Sequence, residues 1–155
     1  MWVPPETKDP VLLHHPTRKS VGYFGAVRLR DGKFVYQQEK LMFNAETFFG
    51  FLKMLRTASS RSGRRVFVIT DNARYHHARL HKEWRAHARR EFVLEYLPPY
   101  SPDLNPIERV WKLTRRQATH NRYFPTLDAV SDAVEDTFSR WRHGSDSLRR
   151  LCAIT

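Results

Sequence analysis

The sequence predicts an α/β domain: a β-hairpin followed by alternating helices and strands in a mixed sheet flanked by helices. Three observations carry that expectation. Val21 to Leu29 and Lys33 to Gln37 are rich in β-branched and aromatic residues and flank Arg30-Asp31-Gly32, whose Asp-Gly step favours a hairpin turn. Val66-Phe67-Val68-Ile69 is a short unbroken apolar run, the pattern of a parallel-sheet strand buried on both faces. Several longer stretches repeat their apolar residues with the helical period.

Taken in order, residues 1–20 carry four prolines and little periodicity and read as an extended lead-in. After the hairpin, Asn44 can cap a helix whose apolar positions Phe48, Phe51, Leu52 and Leu55 follow the 3.6 period, and Ser59 to Gly63 ends it. Beyond the run at 66–69, Ala78 to Arg90 reads as a basic helix with Leu80, Trp84 and Ala88 on one face, and Phe92 to Leu97 as another strand. The loop Pro98-Pro99-Tyr100-Ser101-Pro102 precedes a helix from Pro106 to about Gln117, on which Trp111 follows Glu108 by three. A last helix starts at Thr126 and buries Leu127, Val130, Val134, Phe138 and Trp141.

The 155 residues suit one domain, and 41% hydrophobic with 13% aromatic content is enough for a packed core. Lys and Arg number 27 against 16 Asp and Glu, a net charge of +11 that attracts polyanions, chiefly nucleic acid. The longest apolar run, Val21 to Val27, is far short of the roughly 20 residues that cross a bilayer. With one cysteine, Cys152, the chain has no internal disulfide and no multi-cysteine zinc site. A basic cytoplasmic domain is the expectation.

Two acids stand out. Asp71 follows the run at 66–70, at a strand's carboxyl end, where α/β sheets gather ligands; Asx residues also simply turn chains there. Glu108 lies in Asn105-Pro106-Ile107-Glu108, where Asn105 can cap, Pro106 suits the first helical position, and Glu108 has capping-box spacing. Yet an acid at a strand end and another at a helix start can also converge on one hard cation such as Mg²⁺, which takes oxygen ligands.

The stretch Val68-Ile69-Thr70-Asp71-Asn72-Ala73-Arg74-Tyr75-His76, followed by Leu97-Pro98-Pro99-Tyr100-Ser101-Pro102-Asp103-Leu104-Asn105-Pro106-Ile107-Glu108-Arg109-Val110-Trp111, resembles the DDE transposases of the mariner superfamily, above all their bacterial insertion-sequence branch. The 36 residues between the acids (positions 72–107) suit that branch. The resemblance implies an RNase H-like core in which three carboxylates hold two Mg²⁺ or Mn²⁺ ions, with Asp71 the second acid and Glu108 the third. It implies supporting roles for Asn72 and His76, and positioning of Glu108 by Asn105 and Pro106. It implies DNA as partner, cut and joined by in-line attack on phosphate, with a homodimer or a full-length transposase as a further partner.

One element of the pattern is missing. The family's first acid lies on a strand ahead of the segment that Met1-Trp2-Val3-Pro4-Pro5 resembles; Asp9 sits in the lead-in, and Asp31 belongs to the hairpin turn. The expectation is therefore the C-terminal portion of a transposase catalytic core, lacking the first strand and the upstream helix-turn-helix. Without that strand its neighbours lose hydrogen-bonding partners, so the chain is expected to be poorly soluble or molten alone. Two rival readings remain: a non-catalytic DNA-binding remnant or partner of a full-length transposase, and a basic nucleic-acid-binding module that never performed chemistry.

The arginines Arg74, Arg79, Arg85, Arg89 and Arg90 form the densest basic stretch, and Arg115, Arg116 and Arg122 a second one; both are candidate phosphate contacts, against the alternative of a solvated helix face. His76, His77 and His81 include an i, i+4 pair with zinc-site spacing, but no cysteine or matching acid stands nearby, so they read as surface histidines. Trp84 and Trp141 lie on apolar faces and read as core.

Overall fold

The structure, a computed structural model, describes residues 20–59, 63–73 and 79–154. These form two compact units, residues 39–105 and the remainder, whose segments run up to residue 38 and on from residue 106.

The second of these begins with β1 (Gly22–Val27) and β2 (Phe34–Glu39), paired in a two-stranded sheet. Their turn forms because Gly32 takes a left-handed φ of 71°, which an L side chain rarely adopts. Asp31 stabilises it: its Oδ1 accepts from Arg28 Nε at 2.8 Å and from the Lys33 N–H at 3.1 Å. The Asp31 carbonyl also accepts from the Ser145 N–H at 2.9 Å, so the turn is tied to the start of α5 (Asp146–Leu151). Helix α3 (Pro106–Thr114) continues as a π-helical turn, Arg115–Thr119, and α4 (Leu127–Ser139) is capped by the Thr126 side chain, which accepts from the Ala129 N–H.

The core of this unit joins Phe34, Val110, Ala118, Phe124, Val130, Val134, Phe138, Trp141, Leu148 and Cys152. Phe34 is its hub, with ring centroids 4.8 Å from Phe138, 5.8 Å from Trp111 and 5.9 Å from Trp141. Val130, Val134, Phe138 and Trp141 are buried as their periodicity predicts, whereas Leu127 is half-buried. Helix α5 has no counterpart in the sequence reading. Six residues are too short for a readable period, although Ser145 caps it by accepting from the Leu148 N–H at 3.2 Å.

In residues 39–105, α1 (Ala45–Ser59) buries Phe48, Phe51, Leu52 and Leu55 as expected. Asn44 caps it, its Oδ1 accepting from the Thr47 N–H at 2.9 Å while Thr47 Oγ1 accepts in return from the Asn44 N–H. Strands β3 (Val66–Thr70) and β4 (Phe92–Tyr96) are parallel, in register from Val66 opposite Phe92 to Thr70 opposite Tyr96. Between them α2 (Lys82–Ala88) follows a 3₁₀ turn, Arg79–His81.

Two expectations change here. β3 is not buried on both faces: Phe67 and Ile69 are 57% and 50% exposed and alternate with half-buried neighbours, the pattern of a strand covered on one face. Nor does Leu80 join Trp84 and Ala88. It is 52% exposed, while His81 is fully buried, its ring 5.5 Å from that of Phe48. Positions 81, 84 and 88 keep the i, i+3, i+7 spacing of one face, and the tighter 3₁₀ turn brings 81 rather than 80 onto it. His81 is therefore a core residue and not a surface one.

Among the described residues no strand joins the two pairs into one sheet, and no helix is long and apolar enough to cross a membrane.

Candidate functional site

Asp71 leaves the carboxyl end of β3, exposed to solvent. Its Oδ1 accepts the Ala73 N–H at 3.0 Å, so the Asx turn allowed by the sequence does form, and it orients the carboxylate. Leu97 ties the two strand ends together, because its N–H donates to the Thr70 carbonyl at 2.8 Å and its own carbonyl accepts from the Asn72 side-chain amide. Asn72 is thus a clamp between β3 and β4, immediately beside the acid. A rigid parallel pair with both carboxyl ends cross-linked holds Asp71 where the strand stops, which is what a ligand-holding carboxylate requires.

The loop after β4 emerges at the same edge. In it Tyr100 is fully exposed with a left-handed φ of 58°, a conformation disfavoured for a residue with a Cβ. The 3₁₀ turn Pro102–Leu104 then leads to Asn105, which is buried.

Glu108 belongs to the other unit, in the first turn of α3, and is exposed. The capping-box reading is not realised: the Asn105 N–H donates to the Pro102 carbonyl at 3.0 Å instead. Among the described residues Glu108 has no hydrogen bond or ion pair. What fixes it is the helix beneath. Val110 is fully buried, and the Trp111 ring packs edge-on against Phe34 and lies over Gly25, where an added Cβ would also meet Phe34 Cζ at 2.8 Å. A glycine within a strand marks such a close approach. Arg109 Nη1 donates to the Leu151 carbonyl at 3.0 Å and the Cys152 thiol to the Pro106 carbonyl at 3.7 Å, so α5 braces the first turn of α3.

Of the other candidate residues, Arg74 and His76, with His77, lie outside the described residues. Arg79, Arg89, Arg90, Arg115 and Arg116 are exposed. Arg85 is half-buried, its Nη1 donating to Tyr96 Oη at 3.0 Å; burial raises the Tyr96 phenol above its usual range. Arg109, Arg65 and Tyr100 were not singled out as individuals by the sequence. A lone arginine carries no period, and only the loop's prolines hinted at a constrained backbone around Tyr100.

Asp71 and Glu108 are each exposed on a braced backbone, and carboxylate oxygens are the ligand type that a hard divalent cation takes. Asp31 does not serve this purpose. Its carboxylate is taken up by Arg28 and Lys33, and the Arg28 guanidinium holds its pKa down to about 2. Among the described residues no three His, Cys, Asp or Glu side chains converge as a metal cluster.

A comparison with known families matches residues 1–131 to the DDE superfamily endonucleases. An uncharacterized protein of Sinorhizobium fredii, y4pE/y4sA, is 36% identical over 62 residues, which are 40% of this chain and 44% of that protein. The match thus spans less than half of that relative. Among solved structures, the Mos1 transposase catalytic domain with raltegravir and Mg aligns with a TM-score of 0.53 at 19% identity, over 85% of this chain and 78% of that one. A Mos1 transposase paired-end complex with its left transposon end aligns at 0.54 and 19%, over 98% of this chain and 47% of that one. At such identity the likeness is one of fold, and that fold is RNase H-like.

Proposed function

The chain belongs to the DDE superfamily endonucleases, matched over residues 1–131, and from that premise we propose that it is a transposase catalytic-core chain that works on DNA with a divalent metal. The observation that carries the reading is Asp71 itself: an exposed carboxylate oriented by its own Asx turn at the clamped carboxyl end of a parallel strand pair. Glu108, unpartnered among the described residues and braced by Trp111, is its companion.

In this reading Asp71 and Glu108 would be the carboxylates that hold Mg²⁺ or Mn²⁺, and the bound metal would supply water activation and charge stabilisation at phosphate. Asn72 keeps the β3 end in place, and Asn105 and Pro106 set the entry of the Glu108 helix. Exposed arginines, Arg89, Arg90, Arg115 and Arg116 foremost, neutralise phosphates and position the duplex without reading its sequence. Since Asp31 is committed to its turn, Asp71 and Glu108 are two of the three carboxylates that the resemblance requires. The third is expected from a segment outside both motifs. The rival, a non-catalytic remnant that binds DNA or a full-length transposase, shares every residue named except in lacking chemistry.

Titration of the purified chain with Mn²⁺, followed by paramagnetic line broadening, should show broadening around Asp71 that Asp71→Asn abolishes. The chain alone should not cut a terminal-repeat duplex, because two carboxylates do not hold two ions in geometry. Cleavage with Mg²⁺ would show that two acids suffice. No broadening at Asp71, with duplex binding intact, would leave the remnant.

A further inference from the structure

At the opposite end of the β3–β4 pair from Asp71, the chain builds a second charged feature. Because the strands are parallel and in register, Arg65, which precedes β3, and Arg89 and Arg90, which precede β4, share the amino edge. With Ala86 they line an open recess of about 440 Å³. Arg65 is held in place there: its Nη2 donates to the Arg89 carbonyl at 3.1 Å, at the end of α2, and its guanidinium carbon lies 5.1 Å from the centre of the Phe67 ring. A cation at helix-terminal carbonyls and over an aromatic face is doubly favoured, so this arginine is pre-ordered.

No carboxylate pairs with Arg65, Arg89 or Arg90 among the described residues; the nearby Glu91 is engaged by Arg56 at 3.3 Å. Three guanidinium groups around one open recess repel each other, and an anion between them relieves that repulsion. Guanidinium forks suit phosphate oxygens in particular. Apolar Ala86 and the half-exposed Phe67 add no competing acceptor.

We propose that this recess grips the phosphate backbone of duplex DNA at a point remote from the reacting phosphate. The six residue steps from Arg65 to Asp71 span about 20 Å along an extended strand. That distance corresponds to about six phosphates along one strand of a duplex. The recess is therefore a separate anchor, and it holds the duplex flanking the cut site rather than the site itself. The proposal rests on the reading of the chain as a DNA-acting protein.

The test is a salt titration of binding to a 20-base-pair duplex of arbitrary sequence, with the full chain and two variants. In Arg89→Gln/Arg90→Gln the slope of log affinity against log salt should become shallower by about two, and by about three with Arg65→Gln added. Because Arg65 also caps α2, the double variant keeps the test valid if the triple one unfolds. Amide resonances of Ala86, Arg89 and Arg90 should shift on adding duplex to the unmutated chain. Unchanged slopes and silent amides, with duplex still bound and Arg115→Gln/Arg116→Gln weakening it, would overturn the recess alone. Shifts with inorganic phosphate but none with duplex would also overturn it. Failure of the unmutated chain to bind duplex at low salt would instead remove the functional reading beneath it.

Discussion

The two units of this chain solve the same problem in opposite ways. The unit built on β1, β2 and α3 to α5 turns its aromatic residues inward, with Phe34, Phe138 and Trp141 in mutual contact and Val110 and Leu148 fully buried. The unit of residues 39–105 has a smaller core, centred on α1 with His81, and leaves Phe67 and Ile69 of its strand half in solvent. It also exposes an acid at one end of that strand and arginines at the other. Rigidity is concentrated where burial is complete, and chemistry is offered where a strand pair ends open. Glu108 partly bridges the contrast, being an exposed acid supported by the closed core under Trp111.

The largest effect should come from disturbing that core. Phe138→Ala removes a ring that touches Phe34, Tyr36 and Trp141 and should cost about 3–5 kcal/mol, lowering the thermal midpoint by well over 10 °C. Ile69→Thr, on the exposed face of β3, should stay within about 0.5 kcal/mol. Equal losses from both would show that β3 is as deeply covered as the sequence alone implies.

An intermediate effect is expected at the strand ends. Asn72→Ala breaks the clamp to the Leu97 carbonyl and should cost about 1 kcal/mol. Amide exchange should speed up at Leu97 and Ala73 and not in α4. Because the clamp sits beside Asp71, Mn²⁺ broadening there should weaken as well; unaltered broadening would mean that the Asx turn alone orients the acid.

The smallest effect is electrostatic. The Asp31 carboxyl, held down chiefly by its hydrogen bonds from Arg28, titrates near 2 when folded and near 4 when unfolded. A depressed pKa means that stability is present above the unfolded value and is lost as pH falls toward the folded one. The pair is well exposed, so solvent screening limits the loss between pH 4 and pH 2 to about 0.5 kcal/mol. Asp31→Asn should flatten the acid limb of the stability profile by that amount. If the whole acid sensitivity persists in the variant, it originates in other carboxylates.

Much of this was legible in the sequence because it depends on local chemistry. The Asp-Gly turn at 31–32, the Asn44 cap, the helix start at Thr126 and the helical period of Phe48, Phe51, Leu52 and Leu55 each follow from neighbours within a few residues. The acids Asp71 and Glu108 were singled out in the sequence, since a carboxylate right after an apolar strand and another in the motif around Asn105-Pro106 stand out in one dimension, and the structure leaves both exposed.

What only the tertiary structure decided depends on packing between distant segments. Leu80 and His81 are adjacent, and hydrophobicity favours burying Leu80; the 3₁₀ turn rotates the helix so that His81 meets Phe48. Capping-box spacing allowed the Glu108 carboxylate to accept from the Asn105 N–H, but that N–H donates to the Pro102 carbonyl, and the acid stays exposed. Arg65 precedes Arg89 by 24 residues, and with Arg90 the two become one recess only through the parallel register that sets Val66 opposite Phe92. Periodicity and composition determine which residues are able to bury, bond or bind. Which partner each one meets is settled by the register of strands and the phase of helices, because those alone bring residues far apart in the chain within the few ångströms over which contacts act.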